Sequence, residues 1–477
     1  NLMNTYIKKF KEIGIADIAK VGGKNSSLGE MFSKLTSKGI AVPDGFATTS
    51  YAFEEFLTQN SLHSKLDDLM RQLDKNHYEN LNEIGAKARG LMLAAEIPQK
   101  LQSSILQAYK ELCGENDFEV AVRSSATAED LPQASFAGQH ESYLNIKGGP
   151  AVLNAIKKCY ASLYTDRAIK YREENGFAHQ KVALSVGVQK MVRSDKASSG
   201  VGFTLEPESG FRDIIHLSGV WGLGENIVQG TVTPDEFLVF KPTLLQGKNA
   251  IIQKKLGEKT KTMIYSNDEK EPVINIDTPK EKQELFVLSD EEILKLANWA
   301  LIIENHYQKP MDIEWAKDGI TNEMFIIQAR PETVHSQRNP LLVKEYKLLD
   351  KGIVLVQGEA IGSKITTGVG RILHSPDEAD KLQAGEIIVT DTTSPDWDPI
   401  LQKASAIITN KGGSTSHASI VARELGVPAI VGCANATDKI RDGEMITISC
   451  CEGKTGFVYQ GKLNFNVTDL DFSSIKK

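Results

Sequence analysis

The sequence predicts an α/β chain of mixed α+β build that folds as more than one domain, and three observations carry that expectation. At 477 residues the chain is too long for a single hydrophobic core. Its first part alternates helix-period segments with short β-branched runs. From residue 353 onward the pattern changes to brief apolar runs divided by turns, punctuated by two short helical segments at Asp377–Leu382 and around His417.

Bulk composition narrows the function classes. A formal net charge of −7 argues against a general binder of nucleic acid or anionic membrane. No run approaches the roughly 18 apolar residues of a membrane helix, and Asn1–Glu12 has no apolar targeting core. Five cysteines, an odd number without a Cys-x-x-Cys pair, fit a reducing compartment and argue against a zinc ribbon or a disulfide framework. The cytoplasm is the expected location.

In chain order, Gly22-Gly23-Lys24 stands directly before a helical pattern that runs to about Leu35. A glycine turn with a lysine at a helix start suits phosphate, although it is not a full Walker pattern. Val42–Thr49 reads as a turn into a strand, and helical spacing fills much of Tyr51–Lys110. Phe118–Arg123 is a strand that delivers Arg123 into the run Ser124–Asp130, followed by the small-residue loop Ala134–Gln139 around Gly138. Such a loop lets backbone approach phosphate closely, while an arginine at a strand end equally suits a surface salt bridge.

Ala151–Asn175 is helical, and Val182–Val192, which contains Gln189 and Met191, is a strand. Further strands follow at 200–205, 214–221 and 236–240. Ser289–Tyr307 is an amphipathic helix with Ser289 and Glu292 placed as a capping box. A hairpin then pairs Met311–Ala316 with Met324–Arg330 across a turn at Asp318-Gly319. Side chains alternate along a strand, so Asp312 and Glu314 share one face and Gln328 and Arg330 share another. Carboxylates set among apolar residues need compensating cations, and this oxygen spacing suits Mg²⁺ as well as a buried Glu–Arg pair. Arg330 would hold a phosphate oxygen as a fork.

The segment 412–425 joins a glycine pair to three hydroxyl residues and His417 at a helix start. Gly412 and Gly413 supply turn freedom, Ser414, Thr415 and Ser416 are candidate caps, and Ala418, Val421, Ala422 and Leu425 form the apolar stripe. A neutral imidazole is a nucleophile, and a phosphoryl group there would meet free amides at the helix head. On this segment alone a capping or packing histidine is the commoner reading. A phosphate carrier becomes the better one once a phosphate donor is found elsewhere in the chain.

The motifs Val21–Ser26, Val122–Asp130, Ser135–Gln139, Asp312–Trp315, Gln328–Glu332 and Gly412–Ala418 occur in the order found in the phosphoenolpyruvate-utilising enzymes, which the chain resembles along nearly its whole length. Residues 198–213 and 393–400 resemble the phosphoenolpyruvate synthases (pyruvate, water dikinases) among them. Ser414 stands where those enzymes often carry a basic residue.

The resemblance implies an ATP-grasp nucleotide domain at 1–335, with lobes meeting near 190, a hinge at 336–352, a swivelling β/β/α phosphohistidine domain at 353–465 and a linker or tail at 466–477. It places Lys24, Arg123 and Arg330 on the triphosphate, Gly138 in the loop over it, Gln189 and Met191 at the adenine, and Glu314 and Gln328 on Mg²⁺. It implies that ATP pyrophosphorylates His417, that water removes the terminal phosphate, and that phospho-His then phosphorylates pyruvate to phosphoenolpyruvate in a separate C-terminal barrel. No sequence for that barrel is expected after 465, so this chain is expected to perform the first half-reaction and to reach pyruvate only through a barrel it lacks. The resemblance leaves room for a homodimer. Two other functions compete: a rifampicin-type antibiotic phosphotransferase or other dikinase of the same build, and a non-catalytic phosphocarrier or nucleotide sensor. The short connector opposes the antibiotic enzyme, and the complete set of phosphate and metal residues opposes the sensor.

Overall fold

The computed structural model describes residues 5–127, 141–268, 270–332 and 342–471. Compactness divides the chain into two units, the first made of Asn1–Val192, Asn267–Pro272 and Phe325–Arg330, the second of Arg193–Ser266, Val273–Met324 and Pro331–Lys477.

The first unit is built on an antiparallel sheet whose strands lie in the order Ile7–Lys9, Gly45–Thr48, Leu184–Lys190, Val120–Ala126 and Ser142–Ile146. One face of the central strands is apolar and helix-covered, with Val122, Val186 and Val188 fully buried, while the other face carries Arg123, Ser125, Ser185 and Gln189. Helices Ser50–Gln59, Leu81–Ala94 and Gly149–Ala161 contribute one continuous core. In it Tyr160 meets Phe53 and Phe56 with ring centroids 5.0 and 5.1 Å apart, a spacing that favours edge-on and tilted aromatic contact.

In the second unit, strands Met311–Lys317, Ser198–Phe203, Ile214–Trp221, Asp235–Phe240 and Ile251–Lys255 pair antiparallel in that order. Helix Asp290–Tyr307 packs on this sheet, and its predicted capping box is formed by Ser289 and Glu292. Residues beyond 353 make a closed seven-stranded barrel, in the spatial order Val354–Ile361, Ala429–Val431, Ala406–Thr409, Ile387–Thr390, Ile365–Ile372, Met445–Ser449 and Thr455–Gln460. Three neighbouring pairs are parallel and the rest antiparallel. One apolar cluster includes Ile387, Ile408, Ile430 and Ile448. Another, under helix His417–Leu425, joins Ala418, Val421 and Ala422 to Ile388 and Ile407.

The expected absence of a C-terminal phosphoenolpyruvate/pyruvate-binding barrel is not supported as stated, since residues beyond 353 themselves close a barrel, and it carries His417. Its strands are only three to eight residues long, so they read in sequence as separate short runs without a sign of closure. The expected connector and tail also hold structure. Leu342–Leu348 pairs antiparallel with Phe465–Asp471, from Leu342 opposite Asp471 to Leu348 opposite Phe465. Charge and exposure made both segments look like linkers, but a two-stranded ribbon open to water tolerates charge on either face. Among the described residues no helix is long and apolar enough to cross a membrane.

Candidate functional site

The first unit draws three of the sequence motifs together. In Ile18–Lys34 the helical trace is interrupted at Gly22, whose φ is +78°, a conformation that glycine adopts without steric cost. A Cβ there would come within 2.1 Å of the Ser125 hydroxyl, so the glycine turn lies directly on the strand that carries Arg123. Asn25 donates to Ser185 Oγ at 3.1 Å and to the Val21 carbonyl at 3.0 Å, and Ser27 donates to the Ala329 carbonyl at 2.6 Å. Lys24 is therefore presented from a turn fixed on both sides, next to the strand of Gln328 and Arg330. Lys24, Arg123 and Gln328 are half-buried and Arg330 is exposed.

Gln189 is buried with its amide engaged within the protein. Its Oε1 accepts from Arg123 Nη1 at 3.2 Å and its Nε2 donates to the Pro43 carbonyl at 3.0 Å. The side chain expected at adenine thus holds the arginine. Met191 lies one residue past the strand, and its sulfur accepts from the Asn145 amide at 2.8 Å. Gly138 lies outside the described residues. Glu314 belongs to the second unit, half-buried on Met311–Lys317 between the buried Ile313 and Trp315, as the alternation of the strand requires.

A carboxylate and an amide oxygen are the donor chemistry that Mg²⁺ accepts when phosphates complete its shell, and Glu314 and Gln328 each carry one of them, on separate units. Among the described residues no cluster of three or more His, Cys, Asp or Glu makes a self-sufficient metal cage. The buried hydroxyls of Ser26 and Ser125 have no hydrogen-bond partner. Interiors seldom tolerate such a deficit, and a polar ligand can make it good.

His417 opens helix His417–Leu425 on the barrel. Gly412, at φ +104°, turns the chain out of strand Ala406–Thr409. Gly413 serves a different need, because a Cβ there would lie 2.7 Å from Pro234 Cδ. The hydroxyl run does not cap the helix as expected. Ser416 occupies the N-cap position without a side-chain cap bond and instead meets Ser419 Oγ at 3.2 Å. Thr415 bonds Ser218 at 3.1 Å, and Ser414 bonds Glu236 and His216. Leu425, expected on the apolar stripe, is 36% exposed, while Arg423 is 5% exposed and bonds the Ser414 carbonyl and Glu208.

Both ring nitrogens of His417 are engaged. Nδ1 faces Thr393 Oγ1 at 2.9 Å, and Nε2 faces Asp398 Oδ1 at 2.7 Å. Thr393 is buried, whereas the imidazole and the Asp398 carboxylate retain 11% and 16% exposure. The adjacent Thr392 donates to the carbonyls of Gln229 and Gly230 at 3.0 and 2.9 Å, which fixes the turn that presents Thr393.

The loop before His417 rests against the Ser198–Lys255 sheet through charged and polar groups with little water access. Glu236 receives Ser414, lies 3.5 Å from His216 Nε2, and hydrogen-bonds Glu359 of the barrel. Burial alone would raise its carboxyl. Hydrogen bonds and charge from His216, with bonds from Glu359 and Ser414, hold it below the usual carboxylate range instead. Glu359 goes the other way: burial and the neighbouring Glu236 charge push it well above the ordinary value, opposed by Lys255 at 3.4 Å. One proton shared between the two carboxyls satisfies both shifts.

Sequence reading missed Thr393 and Asp398 as partners of His417, although the run Thr393–Ile400 was noticed as a motif. A short acidic turn 19 residues before a histidine carries no periodic signal, and only closure of the barrel joins them. His216, Glu236, Glu359 and Glu208 were missed for the same reason. Arg423, a charge one position past the apolar pair Val421-Ala422, was the available hint.

Comparison with known proteins gives matches along two stretches of the chain. Residues 18–348 match the family model described as pyruvate phosphate dikinase, AMP/ATP-binding domain, and residues 382–453 match the mobile domain of PEP-utilising enzymes. The chain is 52% identical to the phosphoenolpyruvate synthase of Aquifex aeolicus, over 98% of this chain and 56% of that one. It is 47% identical to that of Escherichia coli, over 96% and 58%, and 40% identical to a probable phosphoenolpyruvate synthase of Methanothermobacter thermautotrophicus, over 97% and 64%. The chain thus spans little more than half the length of the curated relatives it matches.

Proposed function

Since the chain belongs to the pyruvate phosphate dikinase AMP/ATP-binding family, we propose that it is an ATP-dependent phosphotransferase that loads its own His417. In this reading ATP gives a pyrophosphoryl group to the imidazole, water removes the terminal phosphate, and AMP and phosphate leave. The phosphoryl group left on the ring is destined for pyruvate, with phosphoenolpyruvate as product, as the names of the relatives suggest.

The observation that carries the proposal is His417 itself. It is a partly exposed imidazole at a helix head, oriented at both nitrogens by Thr393 and Asp398, on a barrel of the same chain as the Lys24–Arg123 cradle. Phosphoryl transfer needs positioning and charge neutralisation above all. Lys24, Arg123 and Arg330 supply positive charge to the triphosphate, and Gln189 keeps Arg123 in line. Glu314 and Gln328 would hold Mg²⁺, which when bound neutralises phosphate oxygens. Helix His417–Leu425 offers unpaired amides to the arriving anion.

The test is to incubate the purified chain with Mg²⁺ and β-labelled ATP and to follow acid-labile label on protein together with AMP. Labelling that vanishes in His417→Ala supports the reading. Labelling that persists in His417→Ala overturns it, and unchanged labelling in Glu314→Ala or Arg330→Ala overturns the site assignment.

A further inference from the structure

We propose that Asp398 is a catalytic acid–base residue at His417, taking the Nε2 proton as the phosphoryl group arrives and returning it when the group departs. The inference rests on the loading of His417 proposed above.

A carboxylate only accepts hydrogen bonds, so the 2.7 Å contact between Asp398 Oδ1 and Nε2 places a proton on that nitrogen. A protonated Nε2 has no lone pair to offer phosphorus. At the other nitrogen Thr393 Oγ1 lies 2.9 Å from Nδ1, and a hydroxyl can accept from Nδ1–H as readily as it donates. In the proposed starting form Nδ1–H donates to that hydroxyl, so the ring is an imidazolium between the Asp398 carboxylate and the Thr393 hydroxyl.

The two sides differ in freedom. Thr393 is 2% exposed and follows Thr392, which the Gln229 and Gly230 carbonyls fix. Asp398 is more exposed and opens a helix of only one turn, Asp398–Leu401. Nε2 is thus the nitrogen that can be released. Passing its proton to Asp398 leaves a neutral ring with Nδ1–H held by Thr393 and a lone pair on Nε2. That pair forms the N–P bond while the phosphoanhydride P–O bond breaks, and the departing oxygen keeps the bonding electrons. The ring ends with the phosphoryl group on Nε2 and its proton still on Nδ1, a cationic ring whose charge the phosphoryl oxygens offset. The former Nε2 proton is on Asp398. When the N–P bond later breaks towards an acceptor, the carboxylic acid returns its proton to Nε2. No further reactant is required.

The experiment is single-turnover labelling of the full chain with β-labelled ATP and Mg²⁺. Asp398→Asn keeps the shape and a hydrogen-bonding oxygen but cannot take the proton, and it is expected to slow labelling on the order of 100-fold. Asp398→Glu is expected to recover most of the rate, and added acetate or formate to accelerate Asp398→Ala. That chemical rescue compares one protein preparation with itself, so it separates proton transfer from any folding defect. Wild-type rates in Asp398→Asn would overturn the proposal, as would an Asp398→Ala variant indifferent to carboxylate in the presence of a slow Asp398→Glu. Failure of the wild-type chain to label would instead overturn the loading of His417.

Discussion

Glu236 on the Asp235–Phe240 strand and Glu359 on the barrel are neighbouring carboxyls driven apart in titration. Against the opposing effect of burial, His216 and hydrogen bonds hold Glu236 low, while burial and the Glu236 charge raise Glu359. Lys255 lies 3.9 Å from the first and 3.4 Å from the second, His216 lies 3.5 Å from Glu236, and the Glu208–Arg423 pair completes the charged groups around them.

Stability should therefore fall as pH rises. A group raised in the folded state stabilises fully below its unfolded pKa and loses that contribution as pH climbs through its folded one. Glu359 is such a group. Glu236 is depressed, so its contribution is lost only on the acid side. Glu359→Gln imitates the protonated acid at every pH. Its unfolding free energy, measured by urea titration between pH 5 and 9, should gain on wild type by up to about 1.4 kcal/mol per pH unit over the window between the ordinary and raised values. Parallel curves for the two proteins would show that no proton is shared.

Gly22→Ala should damage the nucleotide cradle more than the fold. The new methyl meets Ser125 Oγ at 2.1 Å at a φ of +78°, a combination that costs roughly 1–3 kcal/mol. Calorimetric ATP affinity should drop at least about tenfold while the unfolding transition stays cooperative. Unchanged affinity would separate the Gly22–Lys24 turn from the nucleotide.

Lys259 and Asp235 are both 0% exposed and pair at 2.6 Å, with Asp235 also accepting from the Gly257 and Val287 amides. Burial opposes both charges, raising Asp235 and lowering Lys259. Lys259→Met leaves a buried carboxylate without its cation, a change that costs about 3–5 kcal/mol. Chemical denaturation measures it, and a loss below about 1 kcal/mol would contradict the pairing.

Thr393→Val removes the hydroxyl at Nδ1 and keeps the shape of a buried residue. With about 1 kcal/mol at stake, His417 loading should slow roughly fivefold. Rapid-quench labelling reads the effect, and an unaltered rate would leave Thr393 with a packing role alone.

How much of this was legible in the chain depends on how local the cause was. The capping box of Ser289, the alternation around Glu314 and the glycine turns at Gly22 and Gly412 each arise within a few residues, where propensity and period act directly. Arg123 was recognisable as a strand-end cation, but its hold on Gln189 depends on pairing with a strand some 60 residues further along. Ser414, Thr415 and Ser416 show local preference overridden. Good caps by type, the first two bond a neighbouring sheet, because burying their hydroxyls beside Glu236 and Ser218 requires partners there. The acid–base surroundings of His417 were invisible for the same reason, as Asp398 approaches it only after strands close into a ring.

The ribbon of Leu342–Leu348 and Phe465–Asp471 has a mechanical meaning. Chain entering and chain leaving the barrel are zipped together over seven residue pairs, a rod of roughly 24 Å at 3.4 Å per residue. The barrel is thus mounted as a cassette on a double-stranded stem. Such a stem resists stretching, since its cross-strand hydrogen bonds would have to break, yet it yields easily to twist. Any reorientation of His417 about this mounting would be a turn through an angle at nearly constant reach.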